Sequence, residues 1–347
     1  MSKKSDQPIR LGVCGAGMIV HNHLDAVALT DGIEATAISS RTLKSAKRQA
    51  RRYKIRSAYA DHAKVYASPD VDLVLVATPN YQHFPVAMAA IENGKHVMVE
   101  KPLAMTVGEG RKMVAAAKKA GVHLLYAEQL PLAPKFARLA ELARAGAFGT
   151  IYMVRQIERH SGPYSPWFFK KKTAGGGALV DLGCHSISTV LDILPGQRVE
   201  KVSAVLRTFH HTKGEVDDFA ILQMHFDSGA IGVVEANWCH QGGMDSITEI
   251  YGDNGQGYAD LMKGGGLETF TKKVGKKLFG ELPGWNKPMV EPLRDSGYLV
   301  QTEGIVATIR DGAPPLQSGA DGVEVLRIMA AAVKSSAAGG KAMALPR

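Results

Sequence analysis

In the run Val97-Met98-Val99-Glu100-Lys101-Pro102-Leu103 an expected buried strand ends in a lysine, Lys101. An ammonium group is costly to hold beside apolar strand residues unless it is paired or used. At a strand end it suits a group that hydrogen-bonds a reacting hydroxyl or carbonyl. A second constellation, Gly175-Gly176-Gly177-Ala-Leu-Val-Asp181-Leu-Gly183-Cys184-His185, places a carboxylate one helical turn before an imidazole. On a helix the two share a face. The carboxylate can then orient the imidazole and raise its basicity, as an acid–base residue requires. A purely structural pair with the same spacing is the competing reading. The triple glycine before it lets a ligand or another backbone approach closely.

The third constellation is Gly15-Ala16-Gly17, between a strand and a helix. Gly15 permits a tight turn and Gly17 lets the backbone approach a pyrophosphate. Met18 and Ile19 open the helix whose N–H groups face that anion. Val20 fills the third position, where a small residue is usual. The end of the second strand selects the ribose, and here it reads Ile38-Ser39-Ser40-Arg41-Thr42, with no acidic residue. A carboxylate would accept from the ribose hydroxyls and repel a 2′-phosphate. Ser40 and Arg41, with Lys44 one turn on, can instead donate to that phosphate. NADP(H) is therefore expected over NAD(H); the competing reading leaves Ser40 indifferent and Arg41 in solvent. Thr78-Pro79-Asn80-x-x-His83 follows the third core strand, at the carboxyl edge where such sheets bind ligands. Thr78 and Asn80 suit ribose or nicotinamide-side groups, while His83 either caps the next helix or touches the ligand.

These groups need a frame to position them. Strands at 9–14, 34–39, 71–77, 96–100 and 122–126 alternate with helices at 19–29, 43–53, 84–93 and 108–120. That alternation predicts a doubly wound parallel sheet, an N-terminal Rossmann domain over residues 8–127. The texture then changes to helices at 132–145 and 178–194, with strands at 151–158, 201–209, 219–226, 230–238 and 247–251. Helices at 298–310 and 322–338 close the chain. Residues 128–347 are expected to form an α+β domain with a large, mostly antiparallel open sheet. Residues 263–292, rich in Gly, Lys and Pro, are expected to be a long loop or excursion.

Taken in order, Thr78…His83, Glu100-Lys101-Pro102 and Gly175…Asp181…His185 resemble the glucose–fructose oxidoreductase and inositol dehydrogenase family (Gfo/Idh/MocA). The resemblance covers nearly the whole chain, including Ile250-Tyr251-Gly252…Gly255 and the Gly312…Pro315 turn. It implies a catalytic set of Lys101, Asp181 and His185, with Glu100, Lys101 and Trp167 near the cofactor and no metal. It also implies hydride transfer between a nicotinamide and a hydroxyl or carbonyl carbon of a sugar, polyol or sugar derivative. Three positions depart from the pattern: Ser188 replaces a frequent aspartate, Glu128-Gln129-Leu130-Pro131 replaces an Asn/Arg-containing stretch, and Trp167 lacks a following arginine. The same residues also suit glycoside cleavage through transient oxidation. A non-catalytic cofactor-binding regulator is the third reading, although it has less reason to keep an acid–base set.

A chain of 347 residues can build two domains, each with its own core. Hydrophobic residues at 45% and charged residues at 22% fit a globular protein. Only Cys14, Cys184 and Cys239 are present, without a CxxC pair, which argues against a disulfide framework or structural zinc. The net charge of +9 gathers at Lys170-Lys171-Lys172 and at Lys272, Lys273, Lys276 and Lys277. With no aromatic-interleaved basic module beside them, these read as solvated faces, partly serving to attract a phosphorylated cofactor. Nucleic acid is not an expected partner. No run approaches the roughly 18 apolar residues of a membrane span, and the start reads poorly as a signal peptide, so the cytoplasm is the expected location. An open sheet face needs a cover, which points to a homodimer or homotetramer.

Overall fold

The computed structural model describes residues 7–263, 266–272, 284–286 and 296–346. The chain divides into two compact units, Met1–Glu128 with Tyr298–Leu326, and Gln129–Gly297 with Arg327–Arg347.

The first unit contains β1 (Ile9–Cys14), α1 (Ile19–Ala28), β2 (Ile33–Ser39), α2 (Leu43–Tyr53), β3 (Ser57–Tyr59), α3 (Ala63–Tyr66) and β4 (Leu73–Val76). It continues with α4 (His83–Glu92), β5 (His96–Glu100), α5 (Val107–Ala120) and β6 (Leu124–Ala127). The six strands run parallel in the order β3-β2-β1-β4-β5-β6. All four residues of β4 are buried, as a strand with helices over both faces requires. Local chemistry sets the helix ends. Thr106 and Glu109 form a reciprocal capping box on α5, and Gly121 ends it at φ 69°. Strand order reverses between β1 and β4, so the connections leaving their paired carboxyl ends run to opposite sides and leave the crevice where such sheets take ligands.

The second unit contains α6 (Pro134–Arg144), β7 (Ile151–Arg159), α7 (Lys171–Ala174), α8 (Cys184–Ile193), β8 (Val199–Arg207), β9 (Phe219–Phe226), β10 (Ile231–Asn237), β11 (Asp245–Gly252) and β12 (Gly255–Asp260). Strands β13 (Leu267–Thr271), β14 (Gly284–Asn286) and β15 (Met343–Ala344) complete its sheet. The order is β14-β13-β12-β11-β7-β10-β9-β8-β15, antiparallel at each pairing except β7 with β10. Alternation along each strand separates the faces: Val154, Leu222, Val234 and Ile250 are buried, while Val205, Ile221 and Ile231 point outward and exposed.

Three expectations are corrected. The segment 263–292 is not simply a loop, because β13 and β14 extend the sheet within it; Lys273, Lys276 and Lys277 lie outside the described residues. The helix expected over 178–194 is π-wound at Leu179–Gly183 and becomes α-helical only at Cys184. The contiguous second domain expected over 128–347 gives up Tyr298–Leu326 to the first unit. The physical reason lies in α9 (Tyr298–Asp311) and α10 (Gly319–Ala337). Helix α9 packs on α1, and Gly322 of α10 sits so close to Leu103 and Tyr126 that a Cβ would meet them at 2.9 and 3.2 Å. Further along α10, the Ser335 hydroxyl accepts the Ala204 N–H of β8.

Candidate active site

In the first unit the chain leaves β1 through Gly15, at φ +132°. A Cβ at this position would lie 2.1 Å from the Ala77 carbonyl oxygen. Only glycine allows the turn to press against the end of β4. Gly17 is the opposite case, exposed and with nothing within 4 Å of a built Cβ. Met18 caps α1 without a side-chain hydrogen bond and is 72% exposed. The first turn of α1, including the half-buried Ile19, therefore presents uncapped N–H groups beside open space, the setting that favours an anion. Val20 is fully buried in the first unit's core, so the departure from a small residue is absorbed by packing.

At the end of β2, the buried Ser39 hydroxyl lies 2.8 Å from His62 Nδ1. The Ser40 N–H donates to the Tyr59 carbonyl, leaving the Ser40 side chain half-exposed. Arg41 and Lys44 are exposed, and Arg41 makes no hydrogen bond or ion pair among the described residues. Asp61, after β3, is turned to the Ala63 N–H.

At the end of β4, Thr78 Oγ1 is buried and has no hydrogen-bond partner among the described residues. A buried hydroxyl of this kind is costly unless a ligand group meets it. Pro79 is half-buried and Asn80 is buried beside it. His83 is tied to the backbone through both ring nitrogens. It is 1% exposed, with Nδ1 2.8 Å from the Pro102 carbonyl and Nε2 2.9 Å from the Thr78 carbonyl. Burial holds its pKa below the ordinary histidine value. His83 braces the loops that follow β4 and β5.

At the end of β5, Glu100 is buried and Lys101 half-buried, and the Lys101–Pro102 peptide is cis. Glu100 Oε1 lies 2.6 Å from His23 Nε2 on α1, while Oε2 accepts the Lys101 N–H at 3.0 Å. Burial opposes ionisation of this carboxyl. The His23 hydrogen bond and the charges of His23, Lys101 and His83 outweigh it and hold the pKa below the usual carboxylate range. The carboxylate is thus engaged by protein on both oxygens. Glu100 fixes the backbone that carries Lys101.

In the second unit, the glycine run is explained by backbone approach. A Cβ on Gly177 would lie 1.6 Å from the Asp217 carbonyl oxygen. The Asp217 carboxylate accepts the Gly177 and Leu179 N–H groups, both at 2.9 Å. Burial pushes its pKa upward. This clamp starts the π-wound turn carrying Asp181. Asp181 Oδ2 accepts the Trp238 indole N–H at 3.1 Å and lies 3.8 Å from His160 Nε2. His185 follows as the second residue of α8 and is 8% exposed. Ser188, one turn further, is buried, and its hydroxyl has no partner among the described residues. Trp167 is half-buried and stacks on Phe168 at 3.8 Å between ring centroids. The lysines at 170–172 are exposed.

His23, His160 and Asp217 escaped assignment from the sequence, and Trp238 read only as core packing or a surface residue; it is fully buried. His23 carries no signal apart from being a histidine on an apolar helix face. Asp217 and His160 are brought to their partners by pairings across the sheet, which spacing cannot reveal.

Residues 9–128 match the oxidoreductase family with an NAD-binding Rossmann fold, and residues 136–257 match the GFO/IDH/MocA C-terminal domain. The chain is 28% identical over 333 residues to a myo-inositol 2-dehydrogenase of Thermotoga maritima, covering 94% of this chain and 96% of that protein. Its fold is similar to that of GenD2 from gentamicin A biosynthesis, solved in complex with NAD. That likeness has TM-score 0.87 and 32% identity over 100% of this chain and 98% of the other. A levoglucosan dehydrogenase solved with NADH and levoglucosan superposes with TM-score 0.88 at 27% identity, over 98% of this chain and 100% of that one. With both halves matched and the likeness running end to end, the chain belongs to the GFO/IDH/MocA oxidoreductase family.

Proposed function

We propose that this protein is a nicotinamide-dependent dehydrogenase acting on a CH–OH group of a sugar, polyol or sugar derivative. The observation that carries the reading is Lys101, held at the carboxyl edge of the Rossmann sheet by a Glu100 carboxylate bonded to its own N–H. The open approach at Gly17, the uncapped first turn of α1 and the unpartnered Thr78 hydroxyl fit a dinucleotide. Gly15, Gly17, Met18, Ile19, Thr78, Pro79 and Asn80 would hold it, with Trp167 contributing from the second unit. When bound, the nicotinamide supplies the hydride acceptor or donor.

The chain's own groups handle the proton and the charge. His185 takes the proton of the reacting hydroxyl in the oxidative direction and returns it in the reductive one. Lys101 donates a hydrogen bond to the same oxygen, fixing it and stabilising its developing negative charge. Asp181 binds a neighbouring hydroxyl or orients the imidazole. A myo-inositol dehydrogenase and a levoglucosan dehydrogenase among the relatives support a polyhydroxylated substrate.

The test is a panel of polyols and aldoses followed at about 340 nm, where reduced nicotinamide absorbs. Turnover with at least one of them is expected. Lys101→Ala and His185→Ala should each lower kcat by about 10²–10⁴-fold, and values within a few-fold of wild type would overturn the assignment. The cofactor is proposed to be NADP(H), because Ser40, Arg41 and Lys44 present donors where a carboxylate would select NAD(H). Ser40→Asp combined with Arg41→Ala should move preference to NAD(H). A wild-type kcat/KM that is equal for the two cofactors would refute it. The exposed outer face of the second unit's sheet is proposed to be covered by a second copy of the chain.

A further inference from the structure

We propose that Trp238 is the positioning residue for Asp181: its indole N–H fixes the carboxylate in the orientation in which it meets the substrate. This rests on the dehydrogenase reading above and adds a residue to it. Trp238 leaves β10 directly after Asn237, and its main-chain N–H donates to the Asp218 carbonyl at 2.7 Å. Its side chain is fully buried in a small apolar cluster with Ala178, Leu182, Val216 and Ala236. Phe169 meets its ring edge-on at 5.6 Å between centroids, and His211 does so at 6.2 Å. A phenyl ring could occupy much of this space with no polar atom to satisfy. Tryptophan brings an N–H that must find an acceptor when buried, and the acceptor is Asp181 Oδ2 at 3.1 Å.

The geometry around Asp181 points the same way. Its π-wound turn is clamped at the start by Asp217 and runs at its end into α8, which carries His185. Single π-turns recur at functional sites because they aim side chains that a regular helix would stack. On the other side, the Gly162 N–H donates to His160 Nδ1 at 2.9 Å. A neutral His160 therefore carries its proton on Nε2, the atom 3.8 Å from Asp181 Oδ2. Trp238 and His160 thus each turn an N–H toward this oxygen, and Trp238, rigidly packed, lies at hydrogen-bond distance. A carboxylate whose rotamer is set in advance loses little freedom when substrate arrives.

The experiment compares wild type with Trp238→Phe and with a chain carrying benzothienylalanine at position 238, which keeps the bicyclic shape and lacks the N–H. Both replacements should lower kcat/KM on the polyol turned over by wild type by about 10- to 100-fold, the worth of a hydrogen bond to a charged group. The cofactor Kd, measured by fluorescence titration, should change less than about twofold, since the replacement removes no cofactor contact. In an Asp181→Ala background the benzothienylalanine replacement should change kcat/KM less than about twofold, because its partner is gone. An equal loss in both backgrounds, or wild-type kcat/KM in the benzothienylalanine chain, would overturn the proposal. The Trp238 indole proton resonance, assigned by its disappearance in Trp238→Phe, should shift in Asp181→Ala. An unmoved resonance would overturn the proposal even without turnover. A wild-type protein inactive on every polyol and aldose would count against the dehydrogenase reading and leave the resonance test to decide the hydrogen bond.

Discussion

Lys101 sits at the strand end expected of it, but its neighbours determine what it can do. Glu100 is bonded to the Lys101 amide and to His23, and His83 spans the Pro102 and Thr78 carbonyls. Removing one partner of a buried, hydrogen-bonded charge leaves the other uncompensated. Because the Glu100 pKa is lowered in the folded protein, its contribution is fully present at neutral pH. That contribution is lost as pH falls through the lowered value. Glu100→Gln should therefore destabilise the protein by about 1–3 kcal/mol at pH 7, with the gap to wild type closing in acid. Urea unfolding midpoints across the acid range check this, and a gap that widens as pH falls would contradict it. Residue types singled out Lys101, Asp181 and His185 as groups able to do chemistry, and the family resemblance joined them into one set. Bracing histidines carry no such mark, so His83 read equally as a helix cap or a ligand contact and His23 as nothing.

At the scale of elements, two glycines that look alike in sequence have opposite roles. Gly177 faces the Asp217 backbone at a distance no Cβ could share, whereas Gly17 faces open space. Gly177→Ala should cost about 1–3 kcal/mol or more, since the backbone must move, and should lower kcat by disturbing the Asp181 turn. Gly17→Ala should leave stability within about 0.5 kcal/mol while weakening cofactor binding. Thermal unfolding and a cofactor titration on both variants separate the two, and equal stability losses would refute the distinction. Periodicity placed helix and strand correctly through most of the chain because their faces are amphipathic or wholly buried. It overlooked β3, β12, β13, β14, β15 and the π-turn: short or glycine-containing strands carry too few apolar alternations, and one extra residue per turn leaves the apolar pattern nearly unchanged.

For the whole molecule, the outer face of the nine-stranded sheet joins exposed Val205, Ile221 and Ile231 to a charge ladder. In that ladder Arg155 pairs with Glu235 and Glu249, and Arg159 with Glu235 and Asp245. An apolar patch rimmed by ion pairs is the composition of a subunit interface. Light scattering should give the mass of at least two chains, and Ile221→Lys with Ile231→Lys should shift it toward one; a wild-type monomer would refute the interface. No helix among the described residues is long and apolar enough to cross a membrane. By itself the sequence determined the alternating parallel sheet, the glycine turn and the identity of the chemically able side chains. These follow from local rules of period, turn and charge. Only the tertiary structure decided that Glu100 meets His23 and His83 spans two loops, that Asp181 meets Trp238, and that Tyr298–Leu326 returns to the first unit. Each of these depends on residues far apart in the chain, whose meeting is set by strand pairing and core packing that no local pattern encodes.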